Sequence, residues 1–493
     1  YPMILSHIQL KNINLQTLNI NNIISNTLNE NLNFEQLIAT TNINGNFLVI
    51  AGAGSGKTRI IIYRTFLLLN LNVPPKKILI LTFTRKASKE IRSRIDSLFV
   101  NSEVQIETFH SLAYRCLKKY SQNRSFKVIT LENYFNLSKK SIFFEKISKI
   151  ISQEQIKKLL STASYEDNLL KKEISHLKNH EKNLILNFLH DLSLIKISSN
   201  VFTFDDLIQS FITFLDSRTF SLKFDYVMVD EYQDTDSFQI SILKKISNSN
   251  LMVVGDDFQS IYGFKGTSPN NILNFPFDFP KVKTIILNKN YRSTPSIVDL
   301  SNEISNSFLF SFKKELISTN SNLEKPSLNI FKTHFDEIQS IIKQIENLIL
   351  ENSNCKIALL FRNYIHMEFF IKDFKKSNLN FSIIPNPFLE NIFSDIHFDE
   401  NAQIELLTIH SSKGLEWDYI FIPLLLDGIL PSCIGENIDY EEEKRLFYVA
   451  CTRTKKRLFL SYPLTFYNDF GFFNRASPFI TNISSKFYNI KRG

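Results

Sequence analysis

The chain is poor in cysteine and lacks any long apolar run. Its four cysteines, Cys116, Cys355, Cys433 and Cys451, are scattered through 493 residues, and no pair has the spacing of a metal site or a disulfide framework. No apolar stretch approaches the roughly 20 residues that a membrane-spanning helix needs, and the N-terminal residues lack the pattern of a signal peptide. These absences predict a protein of the reducing cytoplasm that makes no use of a membrane.

What the chain does have is an ordinary globular composition with an excess of positive charge. Hydrophobic residues make up 43% of it and charged residues 22%, and a chain of this length has room for about two to four domains. The formal net charge is +8. Such a charge suits a polyanionic partner, nucleic acid above all, although charge alone leaves a simply basic protein equally open.

One stretch predicts a strand, a glycine-rich loop and the start of a helix. Phe47–Ile50 is apolar, Ala51–Gly56 carries three glycines, and Lys57 and Thr58 follow. Glycines let backbone N–H groups surround an anion, a helix N-terminus adds its dipole, and the lysine and threonine can reach phosphates and Mg²⁺. The stretch departs from the strict pattern because Ala51 stands where a glycine usually begins the loop. It predicts a nucleoside triphosphate site, with a ligand-free glycine-rich turn as the weaker alternative.

Another apolar run ends in two adjacent carboxylates. Tyr226–Val229 predicts a buried strand, and Asp230 and Glu231 follow it directly. In a chain with a phosphate loop, one carboxylate at such a strand end holds Mg²⁺ through water, and the next polarises the attacking water. Further strands are predicted at Ile78–Leu81, Val104–Ile106, Leu251–Val254, Ile285–Leu287, Ile357–Arg362, Ile404–Thr408 and Tyr419–Ile422. Together these runs favour parallel sheets in an α/β protein.

Residues 116–204 have a different pattern. Lysine-rich amphipathic runs, such as Ser141–Ile151 and Asn168–Leu194, predict a helical insertion. Its lysines are most simply a solvated face. Near the other end of the chain, Tyr440–Arg457 is also predicted to be helical.

Nine stretches together resemble the motifs of the UvrD/Rep/PcrA-like superfamily 1 DNA helicases. They occur in the family order over nearly the whole chain from residue 32 onward: Leu32–Gln36, Ala51–Thr58, Thr82–Ala87, Thr108–Ser111, Asp230–Asp234, Gly255–Gly266, Asn290–Ser293, Thr408–Glu416 and Glu442–Arg457. The resemblance implies an α/β fold of two RecA-like P-loop domains with parallel sheets and a helical insertion in the first. The implied domains are an N-terminal extension (1–30), a first RecA-like domain (31–115 and 205–288), its helical insertion (116–204) and a second RecA-like domain (289–493).

The resemblance also implies roles for individual residues, with ATP and Mg²⁺ as ligands. Residues expected at ATP are Gln36, Ala51, Gly52, Ala53, Gly54, Ser55, Gly56, Lys57, Thr58, Arg59, Tyr291 and Glu416. The expected catalytic residues are Lys57, Glu231, Gln259, Arg292 and Arg453, and the expected Mg²⁺ ligands are Thr58 and Asp230. Residues expected at DNA are Phe83, Arg85, His110, Phe264, Lys265, Thr408, His410 and Lys413. Arginine suits a γ-phosphate because its planar fork is always ionised, so two arginines from the second half would couple closure of a cleft to the triphosphate.

Three positions depart from the family pattern. Lys265 stands where an arginine is usual, and Arg85 stands where an asparagine is usual. Only 45 residues separate Arg362 from Thr408, where the family normally inserts a regulatory domain, so this insertion is expected to be absent. Phe466–Phe473 lies where the family has a strand-separating hairpin, but the match is loose.

The implied function is that of an ATP-dependent 3′→5′ DNA helicase. It would couple ATP hydrolysis to translocation on single-stranded DNA and to unwinding of 3′-tailed duplex in DNA repair or replication, at the nucleoid of the cytoplasm. Two alternatives remain: a single-strand translocase that displaces proteins with little unwinding, and an ATP-switched clamp on DNA. The sequence does not identify protein partners.

Overall fold

The computed structural model describes residues 22–99, 102–120, 125–162, 174–175, 177–217, 222–263, 267, 269–309, 311–384, 399, 402–433, 439–468 and 471–492. The helices there are α1 Asn22–Asn31, α2 Phe34–Thr41, α3 Lys57–Asn70, α4 Arg85–Asp96, α5 Phe109–Tyr120, α6 Leu131–Ser138, α7 Phe144–Ile147, α8 Gln153–Thr162, α9 Asn179–Ser198, α10 Phe204–Asp216, α11 Ser237–Ile246, α12 Pro269–Asp278, α13 Pro295–Asn306, α14 His334–Glu351, α15 Tyr364–Phe374, α16 Tyr440–Thr452 and α17 Pro478–Thr481.

The strands are β1 Asn46–Ala51, β2 Ile78–Thr82, β3 Gln105–Thr108, β4 Lys127–Val128, β5 Val201–Phe202, β6 Tyr226–Val229, β7 Leu251–Gly255, β8 Val282–Leu287, β9 Lys289–Asn290, β10 Ile317–Ser318, β11 Ser327–Thr333, β12 Ile357–Phe361, β13 Phe381–Ile383, β14 Ile404–Thr408, β15 Trp417–Ile422, β16 Thr454–Asn468, β17 Gly471–Phe473 and β18 Asn489–Arg492. Within the described part of the chain, no helix is long and apolar enough to cross a membrane.

Six parallel strands form the first sheet, in the order β3-β2-β6-β7-β1-β8. Its inner strands are apolar on both faces because helices cover both sides: Leu48 packs into one hydrophobic cluster, and its neighbour Val49 packs into another. All carboxyl ends of these strands meet at one edge. The loops that follow β1, β2, β6 and β7 are therefore brought together there, which is where ligands bind in open parallel sheets.

The second sheet has the order β13-β14-β12-β15-β16-β11-β18, with parallel pairing along this path and β17 antiparallel to β16. Its two faces are also buried. The predicted α/β architecture of two RecA-like domains is confirmed. The cluster on one face also contains Phe258 and Ile261, which belong to the loop after β7 of the first sheet, so the two halves share part of a hydrophobic core.

The chain between β3 and β6 is mainly helical. Helices α6 to α9 surround a core of their own, which includes Ile147, Ile156, Ile185, Phe188 and Leu192. The parallel pair β4–β5 ties the two ends of this segment together.

Two helix predictions in the chain require correction. The run Ser141–Ile151 yields only the single turn α7, and the run Asn168–Leu194 becomes helical at Asn179, its residues 168–173 and 176 lying outside the described ranges.

The predicted helix Tyr440–Arg457 is wrong in its last turn. Helix α16 ends at Thr452, and Arg453 is its C-cap. Strand β16 begins at Thr454 and pairs with β15, where Arg457 lies opposite Tyr419. Pairing with a strand distant in sequence has overridden the local helical pattern.

The N-terminal boundary drawn at residue 30 falls inside helix α1. Ile24 and Leu28 of this helix pack with Leu32 and with Leu67 of α3. Residues 22–31 are thus attached to the first sheet by apolar contacts.

Candidate functional site

The loop between β1 and α3 owes its shape to two glycines. Gly54 has φ +68° and Gly56 has φ +82°, the left-handed region that favours glycine. A Cβ on Gly54 would lie 2.8 Å from Cβ of Arg292, and one on Gly56 would lie 2.7 Å from Nε2 of Gln36. Ala51 is the last residue of β1 and has an extended backbone, so this departure from the glycine pattern needs no special conformation.

Neighbouring segments hold three carbonyl oxygens of this loop. Gln36 Nε2 donates to Ser55 O at 2.9 Å, Asn290 Nδ2 donates to Ala53 O at 2.8 Å, and the N–H of Tyr291 donates to Gly54 O at 2.9 Å. The loop is therefore pre-shaped by both halves of the chain. Such pre-organisation suits an anion cradle at a helix N-terminus.

The amide of Gln36 already has two partners within the chain. Besides its bond to the loop, its Oε1 accepts from the N–H of Asn33 at 3.1 Å. Asn33 Nδ2 in turn donates to the hydroxyl of Tyr291 at 2.6 Å, and Tyr291 is 48% exposed. The structure brings Gln36 and Tyr291 together beside the phosphate loop. The role of Gln36 in binding ATP stays a prediction.

The two carboxylates after β6 have opposite electrostatic surroundings. Glu231 Oε2 lies 3.1 Å from Lys57 Nζ and accepts from Gln233 Nε2 at 2.5 Å. Burial raises the pKa of Glu231, but Lys57 and Lys413 outweigh burial, and the net pKa is below the ordinary value. Burial and the charge of Glu231 raise the pKa of Asp230. Glu231 also has φ +52°, so its backbone is held in a conformation that non-glycine residues seldom adopt.

Thr58 and Asp230 fit a magnesium ion held partly by its substrate. Both line the cavity that also contains the phosphate loop. Mg²⁺ is usually bound by one or two protein oxygens together with phosphates and water. Among the described residues, no group of three or more histidine, cysteine, aspartate and glutamate side chains is placed to hold a metal ion.

Two arginines of the second half reach the same edge of the first sheet. Arg453 Nη2 donates to Gln259 Oε1 at 2.9 Å, and Gln259 Nε2 donates to Asp256 Oδ2 at 2.6 Å. Burial, aided by the charge of Arg292, lowers the pKa of Arg453 to about 9. Arg292 Nε lies 2.8 Å from Glu416 Oε2. Gln259, Arg292, Arg453 and Glu416, which the sequence places far apart, line one cavity.

Lys413 crosses between the halves to a buried carboxylate. Its Nζ lies 2.6 Å from Asp234 Oδ1 and 2.5 Å from Gln259 O, and it stands 4.9 Å from the centre of the Tyr262 ring. Burial raises the pKa of Asp234 to about 6 despite the charge of Lys413. The lysine that was predicted to lie near DNA phosphates is therefore also an ion-pair partner inside the cleft.

Three aromatic side chains from different loops form a row in the cleft. The rings of Phe83 and Tyr262 are stacked with centroids 5.4 Å apart and planes at 17°, and the ring of His410 is 6.4 Å from Tyr262. Phe83 and His410 were predicted as DNA contacts, whereas Tyr262 was not singled out. Its only sequence signal was its position in the motif that follows β7. Aromatic rows of this kind are stacking platforms for single-stranded bases.

The remaining predicted DNA residues have mixed placements. Arg85 is exposed at the start of α4, and His110 packs edge-on against Phe204 with ring centroids 5.5 Å apart. Thr408 is buried at the end of β14, with its Oγ1 3.0 Å from Ser411 Oγ. Phe264 and Lys265 lie outside the described residues. Arg59, predicted at ATP, lines the cavity and donates to Asn31 Oδ1 at 3.2 Å.

A single cavity of about 1220 Å³ contains most of this machinery. Its walls include the phosphate loop, Asp230 and Glu231, Gln259 with both arginines, and the ring pair Phe83 and Tyr262. The residues predicted at ATP and the stacked rings of Phe83 and Tyr262 therefore line one continuous space between the two sheets.

Comparison with known proteins gives matches over most of the chain. The family model of the UvrD/REP helicase N-terminal domain matches residues 32–280, and that of the UvrD-like helicase C-terminal domain matches residues 285–389 and 388–465.

Individual relatives agree with the family models. The ATP-dependent DNA helicase PcrA of Staphylococcus epidermidis is 32% identical over 385 residues, which cover 73% of this chain and 51% of the relative. The ATP-dependent DNA helicase Rep of Buchnera aphidicola subsp. Schizaphis graminum is 32% identical, with coverages of 78% and 63%. A probable DNA helicase of Mycoplasma pneumoniae is 30% identical, with coverages of 87% and 83%. The chain spans about half the length of the first of these relatives.

Proposed function

Because the chain belongs to the UvrD/Rep family of helicases, we propose that it hydrolyses ATP to move 3′→5′ along single-stranded DNA and to unwind 3′-tailed duplex. Its setting would be repair or replication at the nucleoid of the cytoplasm. The observation that carries the proposal is the shared cavity, which is lined by the phosphate loop and by the stacked rings of Phe83 and Tyr262, with His410 next to Tyr262.

The hydrolysis half of the proposal rests on charge placement. Lys57 and the loop N–H groups would hold the β- and γ-phosphates, and Thr58 and Asp230 would hold Mg²⁺. When bound, Mg²⁺ would neutralise part of the phosphate charge. Glu231 stays ionised because Lys57 and Lys413 keep its pKa low, so it can accept a hydrogen bond from the attacking water and orient it.

The movement half rests on contacts between the halves. Arg453 and Arg292 come from the second half, yet they lie at the phosphate edge of the first sheet together with Gln259. An interaction of both arginines with a γ-phosphate would favour the closed cleft, and its loss on hydrolysis would let the cleft open. Because Tyr262 follows Gln259 by three residues, closure would be transmitted directly to the stacking row.

The β16–β17 hairpin is proposed to meet the duplex. Its strands pair Phe466 with Phe473 and Tyr467 with Phe472. Tyr467 is 71% exposed and Phe472 is 59% exposed, so two aromatic rings are available to stack on a terminal base pair.

The test is ATP hydrolysis measured with and without single-stranded DNA, together with unwinding of duplexes that carry a 3′ or a 5′ tail. Strong stimulation with unwinding from the 3′ tail alone is expected. Lys57→Ala and Glu231→Gln should abolish stimulated hydrolysis, while Glu103→Gln at an exposed position should not. Stimulation without unwinding would instead identify a translocase, which the 45-residue spacing between Arg362 and Thr408 favours. If single-stranded DNA does not stimulate ATP hydrolysis, the ATP-switched clamp is the remaining alternative function.

A further inference from the structure

A lysine outside all of the family motifs is buried beside the catalytic cleft. Lys314 lies on the segment between α13 and β10, and its side chain has 0% exposure. Its Nζ lies 2.6 Å from Asp256 Oδ1, forms an ion pair with Asp257 Oδ1 and sits 3.6 Å from the centre of the Phe258 ring. A lysine is almost never fully buried unless it is paired, so the buried position of Lys314 depends on its ion pairs with these two carboxylates.

Asp256 connects this lysine to Gln259, which is expected to lie near the γ-phosphate of ATP. Its Oδ2 accepts from Gln259 Nε2 at 2.6 Å, so the oxygen of the same amide points away and accepts from Arg453 Nη2 at 2.9 Å. An amide has one donor end and one acceptor end. The carboxylate of Asp256 therefore decides which end Arg453 meets.

Asp256 is also connected to Glu231, the carboxylate that is proposed to orient the attacking water. Its N–H donates to Gln233 Oε1 at 2.9 Å, and Gln233 Nε2 donates to Glu231 Oε2 at 2.5 Å. Asp256 is thus hydrogen-bonded on one side to the partner of Glu231 and on the other side to the partner of Arg453.

The charge balance of the cluster depends on the lysine. Burial lowers the pKa of Lys314, but the charges of Asp256 and Asp257 and the hydrogen bonds to both raise it overall, so the ammonium stays charged. Burial raises the pKa of Asp257 even with the lysine present. Without the lysine, two buried carboxylates would stand side by side, and like charges in such a pair cannot both remain ionised without a large cost.

We propose that Lys314 is a positioning residue for ATP hydrolysis, because its ammonium holds the carboxylates of Asp256 and Asp257 in place and thereby fixes the orientation of the Gln259 amide towards Arg453. The proposal rests on the proposed ATPase function. Lys314 itself touches no reacting atom; it acts through Asp256 and Gln259.

The decisive variant is Lys314→Met, which keeps much of the apolar stem and removes the charge. Burial already raises the pKa of Asp257 against the effect of Lys314, so without the lysine Asp257 would take up a proton, and its O–H could compete for Asp256 and release the Gln259 amide. We expect kcat for DNA-stimulated hydrolysis to fall by about tenfold or more, the lower end of what loss of a hydrogen-bond partner behind a metal ligand typically costs. KM for ATP should change little because Lys57 and the phosphate loop are untouched. The remaining kcat should rise with pH, since raising the pH removes the proton from Asp257.

A charge-balanced double variant separates positioning from simple support of the fold. Lys314→Met with Asp257→Asn removes one positive and one negative charge, so the cluster returns to its original net charge and has no second carboxylate beside Asp256. We expect most of the lost kcat and the original pH profile to return. A lysine that merely anchors its segment would show no such recovery, since the double variant lacks it too.

The matched control is Lys313→Met, the exposed neighbour in the chain, which should behave as wild type. Wild-type protein without DNA-stimulated hydrolysis would refute the proposed function. If the wild type is active and Lys314→Met has the same kcat for DNA-stimulated hydrolysis as Lys313→Met, only the role of Lys314 is refuted. A double variant as impaired as Lys314→Met would refute it as well. Should Lys314→Met fail to fold by circular dichroism, the double variant is compared with Asp257→Asn, and a large difference in kcat or pH profile overturns the proposal.

Discussion

Arg453 and Gln259 are joined by a hydrogen bond of 2.9 Å although they lie 194 positions apart in the chain. Both side chains are buried, and burial lowers the pKa of Arg453 to about 9. A buried guanidinium needs its acceptors because an unpaired one loses its solvation without compensation. This pair makes the end of α16 and the loop after β7 a single polar unit across the cleft.

Arg453→Lys should therefore nearly abolish DNA-stimulated ATP hydrolysis. A lysine keeps the charge but cannot donate along the planar fork to Gln259 and to a phosphate together. We expect kcat to fall by about 10³-fold, the lower end of the effect of an arginine on phosphoryl transfer. The measurement is steady-state phosphate release with saturating single-stranded DNA. Arg457→Lys, at a partly exposed arginine on β16, is the control, and equal losses in both variants would contradict the assignment.

Tyr262→Ala should weaken binding of single-stranded DNA. Tyr262 is the middle ring of the row between Phe83 and His410, and removal of one stacking ring typically costs about 1–3 kcal/mol per base. Fluorescence anisotropy with a labelled oligonucleotide measures the change in Kd. Phe277→Ala removes a ring that is 74% exposed and outside the cavity wall, and should leave Kd unaltered. Unchanged affinity for Tyr262→Ala would remove Tyr262 from the proposed DNA path.

Lys413→Met should destabilise the fold by leaving Asp234 without its cation. The side chains of Lys413 and Asp234 are 6% and 1% exposed, and breaking a buried pair on one side typically costs about 3–5 kcal/mol. The loss should be larger at pH 8 than at pH 5, because an ionised and unpaired carboxylate costs more than a protonated one. Urea unfolding at both pH values measures it. Adding Asp234→Asn should recover most of the loss, and failure to do so would show that the lysine stabilises the cleft in another way.

Glu337→Gln should make the protein more stable above neutral pH. Burial raises the pKa of Glu337 to about 7, although Ser461 and the N–H of Leu424 donate to its Oε1 and favour the ionised form. The folded state thus retains a proton that the unfolded state releases, so stability falls as pH rises from the unfolded pKa of about 4.5 to about 7 and then levels off. A neutral amide avoids this loss, which is on the order of 3 kcal/mol from the size of the shift.

Urea titrations at pH 5 and pH 8 test this expectation. The gain of Glu337→Gln should be seen at pH 8 and should shrink at pH 5. Glu346→Gln, an exposed glutamate on the same helix α14, should show neither. A gain of equal size at both pH values would mean that packing, rather than ionisation, limits stability at this position.

Much of the fold follows from short local patterns. Strand β6 lies at Tyr226–Val229, as predicted, and β7 and β12 begin where their apolar runs begin. A buried parallel strand needs apolar residues on both faces, so four or five such residues in a row suffice to locate it. The confirmed two-domain α/β fold rests on this pattern and on the order of the motifs.

Features that depend on distant partners were harder to predict. The C-terminal turn predicted for α16 is strand β16 instead, because Arg457 meets Tyr419 of another strand. Tyr262 becomes part of a ring row only through Phe83 and His410, and Lys314 is defined by Asp256. No spacing pattern in the sequence predicts these contacts. The motif residues can be located from sequence, whereas the polar network that orients them cannot.

Phe258 and Ile261 are carried by the first half of the chain but are buried in the hydrophobic cluster of the second. A polypeptide cut between β8 and β9 would yield two fragments with complementary exposed apolar surfaces. The first fragment would expose Phe258 and Ile261, and the second would expose the hydrophobic cluster into which these side chains pack. The hydrophobic cluster that Phe258 and Ile261 complete would stay partly exposed to solvent until the two fragments associated. Co-expression of the two pieces, rather than purification of each alone, is the practical route to working with the halves of this molecule.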